Sequence, residues 1–154
     1  MKVSVIVLTL GLLFAGVVVC LADNPNMGTW KLNEAKSKFS PGSSKNQTVV
    51  YEVAGDGVKV TVDGVDANGN PLHSEWTGKF DGKDYPVTGD PTSDMRSYKQ
   101  LNERTLELTG KQGGKVTVTG RIVVSADGKS RTVTTSATDS KGMKVKTTAV
   151  YDKQ

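Results

Sequence analysis

From residue 28 onward, apolar and polar residues alternate with a period of two, broken only by short runs of Gly, Asp, Asn, Ser and Pro. Successive side chains of a strand point to opposite faces, so this pattern predicts strands with one buried and one wet face. Ten stretches carry it: Gly28 to Asn33, Gln47 to Val53, Val58 to Val65, Leu72 to Phe80, Lys83 to Thr88, Arg96 to Leu101, Thr105 to Thr109, Val116 to Ser125, Ser130 to Thr138 and Met143 to Lys153. The links are short. Asn68-Gly69 marks a hairpin, because both central positions of a type I′ turn require positive φ. Ala126-Asp127-Gly128-Lys129 and Asp139-Ser140-Lys141-Gly142 make a meander of the last three strands. No stretch predicts a helix longer than about two turns.

The two faces separate. Val58, Val60, Val62, Leu72, Trp76, Phe80, Leu106, Leu108, Val116, Val118, Ile122 and Val124 fall on one side, and Lys59, Thr61, Asp63, His73, Glu75, Lys79, Thr117, Thr119 and Arg121 on the other. Short strands joined by hairpins leave edges unless the sheet closes. The expected fold is therefore all-β, an antiparallel up-and-down barrel of about ten strands, with a two-sheet β-sandwich as the alternative. Sequential hairpins, not long crossovers, favour the barrel.

The start of the chain reads differently. Lys2 supplies a basic n-region, Val3 to Val19 an apolar run, and Cys20-Leu21-Ala22 ends in a small residue before Asp23, the pattern of a secretory signal over residues 1–22 with a single domain over 23–154. Two alternatives are an uncleaved anchor, for which the run barely reaches spanning length, and a lipoprotein acylated at Cys20, for which the branched Val19 is a poor preceding residue. Each puts the domain outside the cytoplasm, in the periplasm or medium. Cleavage leaves 132 of 154 residues, 19 basic against 16 acidic, and no cysteine. Stability then rests on a core without disulfides, and Leu, Ile, Val and Phe make only 23 of those residues. Low net charge and strict alternation argue for folded β structure over disorder.

Candidate chemistry is sparse. One His and one Cys exclude a Cys/His zinc cluster and any His-based triad without His73. His73 and Glu75 share a strand face, which a solvated surface explains. Glu103 with Glu107, and Asp81 with Asp84, are pairs expected by chance among 16 carboxylates, and no Gly-x-Ser-x-Gly is present. Asp56-Gly57, Asp81-Gly82 and Asp127-Gly128 read as turn chemistry, not calcium loops. The expectation is a protein that is not an enzyme and uses no cofactor or metal. A charge of +3 with scattered aromatics argues against nucleic acid. Lys141, Lys144 and Lys146 form a local basic patch suited to an acidic glycan or an anionic membrane or envelope surface.

Gly28-Thr29-Trp30-Lys31-Leu32 resembles the Gly-x-Trp that opens the first strand of the calycins, the lipocalins and fatty-acid-binding proteins, whose Trp plugs one barrel end. Ten meandering strands ending in Val150-Tyr151-Asp152-Lys153 are more similar to the fatty-acid-binding branch. GTWKLNEAKSKFSPG, FDGKDYPVTGDP and SADGKSRTVTT resemble phrases of small exported bacterial proteins described as lipocalin-like. The resemblance implies a ligand-binding barrel with Trp30 structural. Two departures limit it. Matching the carboxylate-clamping Arg-x-Tyr on Tyr151 puts Ala149 where the Arg belongs. Glu34 to Asn46 is too short and too rich in Ser, Pro and Gly for a two-helix lid, offering one turn capped by Asn33.

Two functions stay open at this point. One is a monomeric carrier or scavenger of a small hydrophobic or amphipathic molecule, with Trp76, Tyr98 and Tyr151 nearest the ligand. The other is a solid-cored module binding through its outer face. Small inward Val and Thr favour a cavity. Alternation puts Arg131 with Val133 and Ala137, and Arg96 with Tyr98 and Gln100. An inward guanidinium at either site needs a carboxylate, an anionic ligand or water. The expected ligand is neutral or weakly polar, with Arg131, and after it Arg96, as polar anchor.

Overall fold

The computed structural model describes residues 20–138 and 141–154. The apolar run expected over residues 3–19 and positions 139 and 140 of the last turn lie outside the described residues. The strands are β1 (Gly28–Leu32), β2 (Lys45–Ala54), β3 (Gly57–Val65), β4 (Pro71–Gly78), β5 (Tyr85–Thr88), β6 (Met95–Asn102), β7 (Thr105–Gln112), β8 (Lys115–Val124), β9 (Ser130–Thr138) and β10 (Lys144–Lys153). Each pairs antiparallel with the next. β1 pairs with β10, setting Trp30 opposite Lys153 and Leu32 opposite Tyr151, so the sheet closes into a ten-stranded meander barrel and the sandwich is excluded. Closure satisfies the edge amides that an open sheet of this sequence would expose.

Alternation located the strands, and local sterics decided where they stop. β4 ends at Gly78, where a Cβ would stand 2.6 Å from the Trp76 and Tyr85 rings. Phe80 consequently packs against the core from the connection instead of from the strand. β5 is four residues long and shares only two ladder pairs with each neighbour. Between β7 and β8 the register slips, with Gly110 opposite Val118 but Lys111 opposite Val116. This bulge corrects two expected orientations. Thr117 turns in, its hydroxyl 3.2 Å from that of the buried Ser93, and Val116 is pushed out to 54% exposure.

One barrel end is packed solid. Trp30 and Trp76 are buried there with Tyr51, Tyr98, Leu106 and Ile122. Tyr98 stands edge-on to Trp76 at 4.7 Å between ring centroids and to Tyr51 at 6.2 Å. The chain before β1 closes this end. After a 3₁₀ turn at Leu21–Asp23, Asn24 donates to Gln100 Oε1 (3.1 Å), and its own Oδ1 accepts from the backbone and side chain of Asn26. The Trp30 indole donates to the Asn26 carbonyl and Lys153 Nζ to the Pro25 carbonyl. Trp30 is thus the buried plug that the Gly-x-Trp resemblance implies.

Candidate functional site

The opposite end is different. Along the slanted ladder from β6 to β10, Tyr98, Leu108, Gly120, Thr135 and Thr147 share one inward row. Tyr98 is buried, but the other four are only half-buried although they face the barrel axis. Solvent reaches these four positions, and Leu108, Gly120 and Thr135 also border a concavity on β7 to β10. One step deeper the row is Leu106, Ile122, Val133 and Ala149, and beneath it Val124, Arg131 and Tyr151 close the floor. The inward side chains of the upper row are small in this half, Gly120, Thr135 and Thr147 among them. At the mouth, Asn33 caps a 3₁₀ turn (Glu34–Lys36) through Lys36 N–H, the single turn the sequence allowed in place of a helical lid.

The five sequence-selected residues converge on this interior. Trp76 is a buried wall member whose indole donates to the Arg96 carbonyl at 2.9 Å. The Tyr151 hydroxyl donates to the Asn46 carbonyl at 2.9 Å, fixing the ring across the lumen. Burial is the main cause that pushes the Tyr151 phenol up to about 12, with Arg131 opposing. Burial likewise raises the Tyr51 phenol well above its ordinary value, helped by Tyr98 and opposed by Arg131. Both phenols keep their protons at neutral pH. Tyr51 was not among the sequence-selected residues, although its alternation with Val49 and Val53 marked it as inward or outward with its strand.

The two arginines are the unusual members. Arg96 pairs with Asp90, and both side chains are 12% exposed. Burial lowers the Arg96 pKa, but Tyr98 and Asp90 more than compensate, so it stays protonated. Asp90 comes from the β5–β6 connection, which turns back at Gly89, where φ is +74° and a Cβ would meet the His73 carbonyl at 2.0 Å. Arg131 is 2% exposed, and its Cζ lies 4.7, 4.8 and 5.1 Å from the ring centroids of Trp30, Tyr51 and Tyr151. Its Nε and Nη1 have no acceptor among the described residues, and neither does Arg96 Nε. Cation–π contacts contribute up to about 2 kcal/mol each when desolvated. Desolvating the ion costs several kcal/mol, and each orphaned N–H adds about 1–3. The rings offset part of this.

His73 is elsewhere. On the outer face of β3 and β4 its Nδ1 sits 2.6 Å from Asp63 Oδ1 and its Nε2 3.6 Å from Glu75 Oε1, and Glu75 also meets Lys59 at 3.0 Å. A concavity of about 700 Å³ lies outside the barrel on β7 to β10, flanked by the exposed Glu107, Thr119, Arg121, Thr134 and Lys146. Asp81 and Asp127 each accept the backbone N–H two residues on, which is turn chemistry. No group of metal-ligating side chains forms among the described residues.

A designed barrel, EF1p2_mFAP2b bound to DFHBI, superposes with a TM-score of 0.51 at 10% identity, over 84% of this chain and 94% of that one. The likeness is one of fold. A redesigned barrel, mFAP1, also bound to DFHBI, gives 0.49 at 15% identity over 84% and 95%. A fluorescence-activating β-barrel designed de novo gives 0.40 at 14% identity over 83% and 93%. No family pattern matches the chain, and no curated protein matches it.

Proposed function

We propose that the protein is an exported, non-catalytic barrel that holds a small amphipathic molecule in the half-open lumen between β6 and β10. The observation that carries this reading is the inward row Leu108, Gly120, Thr135 and Thr147, which solvent reaches above a floor of buried polar groups. A barrel serving only as a scaffold has no need of a half-wetted interior, and filling those positions with larger apolar side chains would stabilise it by about 0.8 kcal/mol per buried CH₂. The designed barrel of the same fold that binds DFHBI supports the reading by analogy. The leader-like start of the sequence supports export, and the secreted protein is expected to begin at Asp23 by intact mass.

Displacement of a neutral environment-sensitive dye from the purified protein, with native mass spectrometry of protein from its own host, tests the reading. Saturable dye binding that Thr135→Phe abolishes is the expected result. Binding that survives Thr135→Phe would place the ligand elsewhere, and the outer concavity beside Arg121 and Lys146 favours an acidic surface ligand as the second reading.

A further inference from the structure

Of the seven asparagines, Asn68 alone is followed by glycine. Asn24 and Asn70 precede prolines, whose nitrogen carries no proton, and the other four precede Met27, Glu34, Gln47 and Glu103. The Asn68-Gly69 pair lies at the tip of the β3–β4 hairpin, where residues 67–70 are all exposed. Gly69 has a φ of +83°, and among the described residues only glycines have positive φ. The loop is therefore a turn through Ala67 and Asn68 followed by a left-handed glycine, not the type I′ turn that the pair suggests in the sequence. No side chain on Gly69 shields its nitrogen from the Asn68 carboxamide, and nothing lies within 4 Å of where a Cβ would stand. Asp66 clasps this loop. Its carbonyl accepts from Gly69 N–H at 3.1 Å, its Oδ1 from the N–H groups of Asn68 and Asn70 at 2.8 Å each, and its Oδ2 from the Asn70 side chain at 2.9 Å.

We propose that Asn68 is a site of spontaneous deamidation and that Asp66 sets its rate. The site is independent of what the barrel holds. The Gly69 nitrogen gives its proton to hydroxide and attacks Asn68 Cγ; the N–Cγ bond forms, the Cγ–Nδ2 bond breaks, and Nδ2 takes a proton from water and leaves as ammonia. Water then opens the five-membered imide. Attack at the side-chain carbonyl gives aspartate, and attack at the backbone carbonyl gives isoaspartate, whose main chain runs through Cβ. No electron changes hands. While Asp66 holds the loop, the Gly69 proton is engaged and Asn68 is fixed in the turn, so attack waits for a local opening far smaller than global unfolding. Either product puts a second carboxylate beside Asp66, and isoaspartate also lengthens the loop by one main-chain atom. The Asp-Gly pairs at Asp56, Asp81 and Asp127 are poorer candidates, because hydrogen bonds hold these carboxyls ionised and a carboxylate is a weaker electrophile than an amide.

Incubation of the purified protein in mildly alkaline buffer at body temperature, followed by peptide mapping, tests this. Residue 68 should lose its amide before any other asparagine. Its peptide should resolve into two products, only one of them cut by an endoprotease that cleaves before aspartate but not before isoaspartate. Conversion should be slower in the folded protein than in guanidinium chloride, and Asp66→Ala should speed it at least about threefold in the folded state, as the loop loses hydrogen bonds that oppose opening. If Asp66→Ala does not fold, the ratio of folded to denatured rates in the wild-type chain still decides. An amide at Asn68 that persists while Asn33, Asn46 or Asn102 converts, or a product that is aspartate alone, would overturn the site. Equal rates in folded and denatured chains, or in wild type and folded Asp66→Ala, would overturn control by Asp66.

Discussion

The indole N–H of Trp30 donates to the carbonyl of Asn26 at 2.9 Å, tying the first strand to the segment that crosses beneath the barrel. Both residues are 0% exposed. Trp30→Ala is expected to cost about 3–5 kcal/mol, the range for deleting a core aromatic. Trp30→Phe retains most of the volume but orphans the Asn26 carbonyl, and should cost about 1–3 kcal/mol. Urea denaturation measures both, and an unchanged midpoint for Trp30→Ala would refute the plug.

The same crossing segment predicts a sharp difference between two shortened chains. A protein beginning at Asp23 keeps Asn24 on Gln100 and Asn26 under Trp30, and should melt cooperatively. One beginning at Gly28 loses both, and Lys153 loses its Pro25 acceptor. Its melting temperature should fall by several degrees, consistent with one or more orphaned groups at about 1–3 kcal/mol each. Equal melting of the two forms would show that the segment is dispensable.

Gly89 holds Asp90 in place for Arg96. An alanine there adopts positive φ at roughly 1–2 kcal/mol and also meets the His73 carbonyl at 2.0 Å, so the loop must move. Gly89→Ala should therefore lower thermal stability by more than the φ cost alone. Loss confined to that cost would mean that the loop accommodates the methyl freely.

How much of this was legible in the sequence varies with range. Period two and turn residues located all ten strands, because local alternation records which face is buried. Trp30 was legible as the plug from three residues. The bulge at Thr117 was not, since it depends on Ser93 meeting the strand from another loop. Arg96 and Arg131 were legible as inward candidates from their neighbours. That Asp90 neutralises one while aromatic rings surround the other depends on contacts between chain positions far apart, such as Trp30 and Arg131, which alternation within a strand cannot report.

His73 gives a pH signature on the outer face. Its pKa is raised mainly by the hydrogen bond to Asp63, so the folded protein binds this proton more tightly than the unfolded chain. The contribution is therefore fully present below the ordinary imidazole value of 6.5 and is lost as pH rises through the higher folded value. Stability should decline modestly across that window at low salt, and His73→Gln should flatten the decline. A stability that rises over the same window would reverse the assigned sign.

The brevity of β5 has a consequence for how the wall breathes. Two ladder pairs on each side hold Tyr85–Thr88, against nine between β9 and β10. Opening free energies follow such local differences, so the barrel should unzip beside β5 at a cost below that of global unfolding. Hydrogen exchange would then find fast amides at Val87 and its partners within an otherwise protected sheet. A guest too wide for the mouth would have a lateral passage there, opened by fluctuation and resealed without unfolding the rest.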